Sequence, residues 1–136
     1  RRHTRCSRDW MSDVCTSDLL VTILLDHVNA GRLSLERFVD HTSTGAACIS
    51  GIAGKGRITL GYDADFTIVD LKAKKKIENS WIASRCGWTP FDGMETTGWA
   101  LATIIRGQTV MRDRALAASG LGQPLRFWST LEAKAS

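Results

Sequence analysis

The chain has 136 residues, of which 43% are hydrophobic and 24% are charged, a balance typical of a folded globular domain and not of a disordered tail. Its 18 basic and 14 acidic residues leave a formal net charge of +4, which is too small to argue for a nucleic-acid partner. No apolar stretch is long enough to span a membrane, and arginines crowd the start where a secretion signal would lie. The four cysteines form no C-x-x-C pair, so we expect reduced thiols and a cytoplasmic protein.

The first 18 residues differ from the rest of the chain. They are polar, they show neither a helical nor a strand period, and their three aspartates offset most of their arginines. The segment resembles the translation of a sequencing-adapter remnant, and the alternative is a disordered arm. In both cases we expect residues 1–18 to be a non-native or disordered arm outside the fold, with the regular pattern beginning at Leu19.

Three helices are predicted next. The first has one apolar stripe and ends at Gly31, which suits the left-handed position after a helix. The second begins after Ser34, a good N-cap, and the third spans residues 45–50 and stops at Gly51. The residues proposed as caps of the third helix are Thr42, Ser43 and Thr44, and the stripe of the first comprises Leu20, Ile23, Leu24 and Val28.

The second half of the chain shows strand-like patterns. Residues 57–60 and residues 66–71 are predicted strands, the latter buried on both faces, with the lysine run at residues 72–76 as a connection. Residues 76–82 are a further candidate strand, and residues 85–99 are predicted as a long ordered loop. A tight β-hairpin is predicted around Gly107, and a last extended segment at residues 123–127. Helices followed by hairpins indicate an α+β fold.

The carboxylates and the glycine-rich segment do not form a recognisable catalytic motif. Residues 51–56 (GIAGKG) lack the first glycine of a phosphate-binding loop and the hydroxyl residue that would follow Lys55. Asp63 and Asp65 flank a turn, where we expect them, like Asp70, to accept hydrogen bonds from backbone amides rather than to bind a metal.

The other candidate residues are isolated in the sequence. His27 and His41 lack a third ligand for a zinc site, and His27 does not share a helix face with the neighbouring Asp26. Ser43 and Cys86 have no histidine at a nucleophile-base arrangement. The tryptophans Trp81, Trp88, Trp99 and Trp128 are expected mainly in the core.

Taken together, three ordered stretches carry a resemblance to a known family. They cover residues 19–127 and resemble the C-terminal third of bacterial dihydroorotases, members of the amidohydrolase superfamily that act on cyclic amides. The G-x-D-A-D-F-x-I-V-D element is typical of the whole superfamily, and the T-P-F-D-G-M stretch with the following T-G-W narrows the resemblance to cyclic-amide hydrolases. The stretches are LLDHVNAGRLSLERFVDHTS, GIAGKGRITLGYDADFTIVDL and SRCGWTPFDGMETTGWALATIIRGQTVMRD.

The resemblance implies a fold and a reaction for the parent enzyme. Residues 19–56 would be terminal helices of a (β/α) barrel, and residues 57–136 would be the C-terminal part of a small composite β-domain. The parent would use zinc to interconvert N-carbamoyl-aspartate and dihydroorotate in pyrimidine biosynthesis, as a homo-oligomer or as a partner of aspartate transcarbamoylase, with no nucleic-acid or membrane partner. The family's metal ligands and catalytic aspartate precede Leu19, so catalytic, cofactor-binding and metal-binding residues are all expected to be none, and the fragment is expected to be inactive and to bind no zinc.

Two alternatives to this interpretation stay open. The chain is either a non-catalytic dihydroorotase-like module that binds a partner protein, or a fragment of a hydantoinase or allantoinase. The sequence also departs from the family at four positions, and these put the packing of the third helix in doubt. The four residues are Thr22 and Ala46, where proline is common, Cys48, where a basic residue is usual, and Ser50, where an aromatic residue is usual.

Overall fold

The computed structural model describes residues 19–82, 87–117 and 122–129. Helices come first along the chain and strands second, which confirms the α+β class. The helices are α1 (Leu20–Asn29), α2 (Leu35–Val39) and α3 (Gly45–Ile49), with a π-helical segment at Asp40–Thr44 and a 3₁₀ turn at Asn79–Trp81. The strands β1 (Phe66–Lys76), β2 (Glu95–Ile105), β3 (Gln108–Arg112) and β4 (Ala115–Leu116) form one sheet in the order β1-β2-β3-β4.

The helix ends follow local signals in the sequence. Gly31 has φ +70°, and the N–H groups of Gly31 and Arg32 donate to carbonyl oxygens of the last turn of α1, as in a Schellman motif. Ser34 is extended, and its hydroxyl oxygen accepts from the N–H of Arg37 at 3.2 Å. Gly51, with φ +64°, follows α3 in the same left-handed conformation. These predicted ends are confirmed.

The predicted break before the third helix is wrong. Residues 35–49 follow one continuous helical path, because the residues on either side of the π-helical segment keep right-handed helical dihedrals. Thr42 and Thr44 were expected as caps, but neither side chain caps a helix. The hydroxyl of Thr42 donates to the carbonyl oxygen of Phe38 at 2.8 Å, and that of Thr44 donates to the carbonyl oxygen of Gly56 at 2.7 Å.

Strand β1 is longer and more exposed than predicted. The lysine run at residues 72–76 continues the strand instead of ending it, and only Lys76 of the predicted strand at residues 76–82 belongs to a strand, while Asn79–Trp81 form the 3₁₀ turn. Lysines are tolerated because β1 is an outer strand of the sheet, where charged side chains reach water. The expectation of burial on both faces is also wrong, since Phe66, Ile68 and Leu71 are 36%, 48% and 37% exposed.

Two further sequence predictions fail around glycines. Residues 57–60 form no strand, and they lie between Gly56 and Gly61, whose φ angles are +85° and +84°. Ile58 and Leu60 give this segment an alternating apolar pattern, but no strand among the described residues pairs with it. Residues 95–99, predicted as loop, instead begin β2.

The hairpin around Gly107 is confirmed. β2 and β3 are antiparallel, and Ile105 faces Gln108 at the end of the ladder. The two connecting residues, Arg106 and Gly107, have φ angles of +47° and +77°. Positive φ at both positions is the geometry of a type I′ turn, whose twist matches that of the flanking strands.

The described residues fall into two compact units. The first comprises residues 19–32, 70–82 and 87–99, and the second comprises residues 33–69, 100–117 and 122–129. The core of the first unit is formed by Leu19, Ile77 and Trp99, which are almost fully buried, with Ile23, Ala73, Trp81, Ile82 and Phe91 packed against them. The buried apolar residues of the second unit are Phe38, Ala47 and Ala53.

Candidate functional site

A cluster of charged side chains in the second unit surrounds the tripeptide at residues 63–65. The ammonium of Lys55 lies between two carboxylates, 3.0 Å from Oδ2 of Asp63 and hydrogen-bonded to Oδ2 of Asp65. The guanidinium of Arg126 lies 3.7 Å from Oδ1 of Asp63. We call Lys55, Asp63, Asp65 and Arg126 the aspartate junction.

The junction also holds backbone from distant parts of the second unit. Oδ1 of Asp65 accepts from the N–H of Arg106 at 2.8 Å, and the carbonyl oxygen of Ala64 accepts from the N–H of Gly107 at 2.9 Å. Both residues of the β2–β3 turn are therefore fixed by residues 64–65. Each of the four carboxylate oxygens of the two aspartates faces a cationic side chain or a backbone N–H group.

The charges of the junction stabilise one another. Partial burial acts to raise the pKa of Asp65, but the hydrogen bonds from Lys55 and from the N–H of Arg106 outweigh it, and the pKa lies below its ordinary value. The hydrogen bond to Asp65 raises the pKa of Lys55, assisted by Asp63 and opposed by burial. The junction is therefore a set of ion pairs at neutral pH, with Lys55 protonated and Asp65 ionised.

In the first unit, helix α1 holds strand β2 through two polar side chains. Oδ1 of Asp26 accepts from the N–H of Thr97 at 3.0 Å, and Nδ2 of Asn29 donates to the carbonyl oxygen of Thr97 at 3.0 Å. Both backbone groups of Thr97 are thereby satisfied by one helix. We call this pair of contacts the Thr97 clamp.

The sequence profile of the amidohydrolase family matches residues 11–110. The chain belongs to the amidohydrolase family. It is 41% identical over 96 residues to the dihydroorotase of Methanothermobacter thermautotrophicus, which covers 71% of this chain, and 40% identical over 106 residues to the L-hydantoinase of Paenarthrobacter aurescens, which covers 76%. The chain spans only 22% and 23% of the lengths of these two relatives.

Solved structures of amidohydrolases show the same fold. The L-hydantoinase (dihydropyrimidinase) from Arthrobacter aurescens matches 77% of this chain with a TM-score of 0.74 and 37% identity. The D-hydantoinase (dihydropyrimidinase) from Thermus sp. matches 81% of the chain with a TM-score of 0.72 and 31% identity. The chain covers 24% and 25% of these two structures.

The candidate histidines and the one described cysteine of this amidohydrolase chain belong to no metal-binding group among the described residues. His27 does not contact the carboxylate of Asp26, which serves Thr97 and lies 3.7 Å from the guanidinium of Arg32, and Nδ1 of His27 is buried without a hydrogen-bond partner. Among the described residues no group of three histidine, cysteine, aspartate or glutamate side chains is placed to hold a metal ion. The described residues therefore do not fit the zinc site that the family implies.

The remaining candidates have structural positions or lie outside the described residues. Trp99 is 1% exposed in the core of the first unit, and its ring centroid lies 5.5 Å from that of Trp81, as expected for core aromatic residues. Trp128 is 51% exposed. Cys86, Cys6 and Cys15 lie outside the described residues, whereas Cys48 is an exposed free thiol.

Three of the four departures from the family pattern lie on the surface. Ala46, Cys48 and Ser50 are exposed, so substitution there leaves the buried side of α3 at Ala47 unchanged. Thr22 is the exception, because it is buried in the middle of α1.

The structure also reveals contacts that the sequence pattern does not predict. The role of Lys55 was not predicted, because its partners Asp63 and Asp65 lie eight and ten residues away and meet it only after the chain turns. The Thr97 clamp joins residues about 70 positions apart, a distance at which no local pattern is informative. The signal that was available is the G-x-D-A-D motif itself, whose two aspartates flank the turn.

No helix among the described residues combines the length and the apolar character needed to cross a membrane.

Proposed function

We propose that this chain is the C-terminal part of a dihydroorotase-type cyclic-amide hydrolase and that the fragment itself is inactive. The observation that carries the proposal is the 41% identity to a dihydroorotase over 96 residues, at a coverage of only 22% of that relative. The parent enzyme would interconvert N-carbamoyl-aspartate and dihydroorotate, with zinc held by residues that this chain does not supply.

The architecture of the parent is part of the same proposal. Residues 19–56 would be terminal helices of the catalytic barrel, and residues 57–136 would belong to the small β-domain. Two features support this assignment: the helices precede the strands along the chain, and apolar side chains of β1 are left exposed, as they would be if a further layer covered them in the parent.

The fully engaged junction supports a structural role for this chain in the parent. Its two aspartates pair with Lys55, Asp65 also accepts from the backbone of the β2–β3 turn, and the described residues lack a metal-binding group. Catalytic groups need a free lone pair or an exchangeable proton that faces the substrate. We therefore propose that the chain positions the β2–β3 turn and contributes no group to the chemistry.

A hydantoinase parent is the second candidate. The L-hydantoinase of Paenarthrobacter aurescens is 40% identical over a slightly longer stretch of 106 residues, and one solved L-hydantoinase shares the fold at a TM-score of 0.74. The two parents differ in which cyclic amide they open, and that choice is made by residues around the substrate.

The test has two parts. The purified chain, supplied with zinc, is assayed for dihydroorotate hydrolysis beside an intact dihydroorotase; we expect no turnover above the protein-free blank, and measurable turnover would overturn the proposed inactivity. The full-length protein encoded by the contiguous genomic DNA is then assayed with dihydroorotate, hydantoin and allantoin. Preference for hydantoin or allantoin would replace the dihydroorotase assignment, and an upstream region without metal ligands would favour a non-catalytic partner-binding module.

A further inference from the structure

We propose that Asp65 is an acid-operated latch, which holds the β2–β3 turn in place while its carboxylate is ionised and releases the turn when it is protonated. This inference concerns the chain alone and does not depend on the proposed function.

The geometry makes one carboxylate the link between two segments. Oδ2 of Asp65 bonds to the ammonium of Lys55, ten residues earlier, and Oδ1 accepts from the N–H of Arg106, 41 residues later. Protonation places a hydrogen on one of these oxygens and removes the charge that attracts both donors. The two contacts are therefore weakened by a single event.

The charged groups that face Asp65 belong to the junction and to the turn itself. Lys55 also pairs with Asp63, and Asp63 faces Arg126. The side-chain charge of Arg106 favours the ionised form of Asp65. Protonation of Asp65 removes a negative charge that faces both the ammonium of Lys55 and the N–H of Arg106.

The direction of the pKa shifts sets the pH at which the latch opens. The pKa of Asp65 is lowered, so its contribution to stability is complete above the unfolded value of about 3.9 and is lost as the pH falls through the lower folded value. The pKa of Lys55 is raised, so its contribution persists up to the unfolded value of about 10.4 and is lost only above it, as the pH rises through the folded value. The latch therefore opens on the acid side alone.

The backbone amides of the turn give a direct test. In an NMR titration of the whole chain from about pH 7 to about pH 2.5, the amide proton of Arg106 reports the carboxylate, whereas that of Gly107 bonds to the carbonyl oxygen of Ala64 and has no titrating partner. We expect both amides to lose protection from hydrogen exchange together, with one midpoint and with a slope of at most about tenfold per pH unit, the limit for a single proton. Loss at Arg106 with Gly107 still protected would overturn the proposal, because the turn would then have stayed in place.

Two variants and a control separate the latch from general acid unfolding. Lys55→Met is expected to move the midpoint for both amides to higher pH, and Lys55→Arg to keep it near the wild-type value. Asp113→Asn removes an exposed carboxylate of the same unit, outside the junction, and is expected to leave the midpoint unchanged. An equal shift in Asp113→Asn and Lys55→Met, or no shift in Lys55→Met, would contradict the latch.

Discussion

At Gly98 the backbone of β2 lies against helix α1 too closely for a side chain. A Cβ atom built there would lie 2.5 Å from Cβ of Leu25, and the φ angle of +107° is one that other residues rarely adopt. The contact is rigid, because Leu25 is fully buried and the flanking Thr97 is held by the clamp. The glycine of the T-G-W motif is thus explained by helix packing rather than by flexibility.

We therefore predict that Gly98→Ala destabilises the chain by about 2–4 kcal/mol, since the added methyl group forces the strand away from α1. Urea unfolding followed by tryptophan fluorescence measures the change. Gly122→Ala is the matched control, because Gly122 has no positive φ and a Cβ atom added to it would meet no other atom within 4 Å. A loss in Gly98→Ala no larger than in Gly122→Ala would contradict the packing argument.

The Thr97 clamp leads to a second prediction at the same scale. Asn29 donates one amide group to two carbonyl oxygens, those of Leu25 and Thr97, each at 3.0 Å. Asn29→Asp replaces the donor by a carboxylate that faces two carbonyl oxygens. We expect the free energy of unfolding to fall by about 1–2 kcal/mol near pH 7 and to be partly recovered in acid, where the carboxyl group is protonated and can donate again. Asp26→Asn keeps an oxygen that accepts from the N–H of Thr97, so we expect it to lower the free energy of unfolding by less than Asn29→Asp does. Unfolding curves at about pH 7 and about pH 4 test the pair, and equal losses at both pH values would contradict it.

At the scale of elements, the β2–β3 hairpin depends on its turn. Gly107 has φ +77°, and a Cβ atom added there would meet nothing within 4 Å, so only backbone conformation disfavours a side chain. We expect Gly107→Ala to reduce the free energy of unfolding by about 1 kcal/mol, clearly less than Gly98→Ala, where a clash adds to the strained φ. Thermal unfolding of the two variants beside the wild type gives the comparison, and the reverse order of stability would refute it.

Short-range signals predicted the ends of elements well. Ser34 and Gly31 act within one helical turn, and the position of the hairpin turn is marked by Gly107, which tolerates a positive φ angle, so these features were readable from the sequence. The ends of the strands could not be predicted in the same way, because a strand forms only where another strand is available to pair with it. The alternation of Ile58 and Leu60 suggested a strand that has no partner among the described residues, whereas the lysine run suggested a break where β2 in fact supports β1.

At the scale of the molecule, family and fold class were predictable, and the organisation of the charged site was not. The G-x-D-A-D motif marks its position in the sequence, but the contacts of Lys55 and of the β2–β3 turn depend on segments brought together by folding. In the first unit, the core position of Trp99 is predictable from its residue type. The Thr97 clamp beside it is not, because its residues are distant in the sequence.

The distribution of exposed apolar residues argues for self-association of the isolated chain. Ile58 and Leu60 are 87% and 100% exposed, and they lie on a short segment whose base is fixed by the bond between the N–H of Asp63 and the carbonyl oxygen of Gly54 at 2.9 Å. Large apolar side chains held in water by an ordered loop favour contact with another molecule.

We predict that replacing Ile58 and Leu60 together by lysine raises the monomeric fraction of the chain, as measured by sedimentation velocity at several concentrations. Thr59→Lys is the matched control, because it adds charge between them without removing an apolar side chain. If Thr59→Lys raises the monomeric fraction by the same amount, added net charge explains the change and the prediction is wrong. A wild-type chain that is monomeric at all concentrations would also contradict it. If the double variant is monomeric and the Thr59→Lys variant still forms oligomers, the association depends on the side chains of Ile58 and Leu60, because added charge alone does not prevent it.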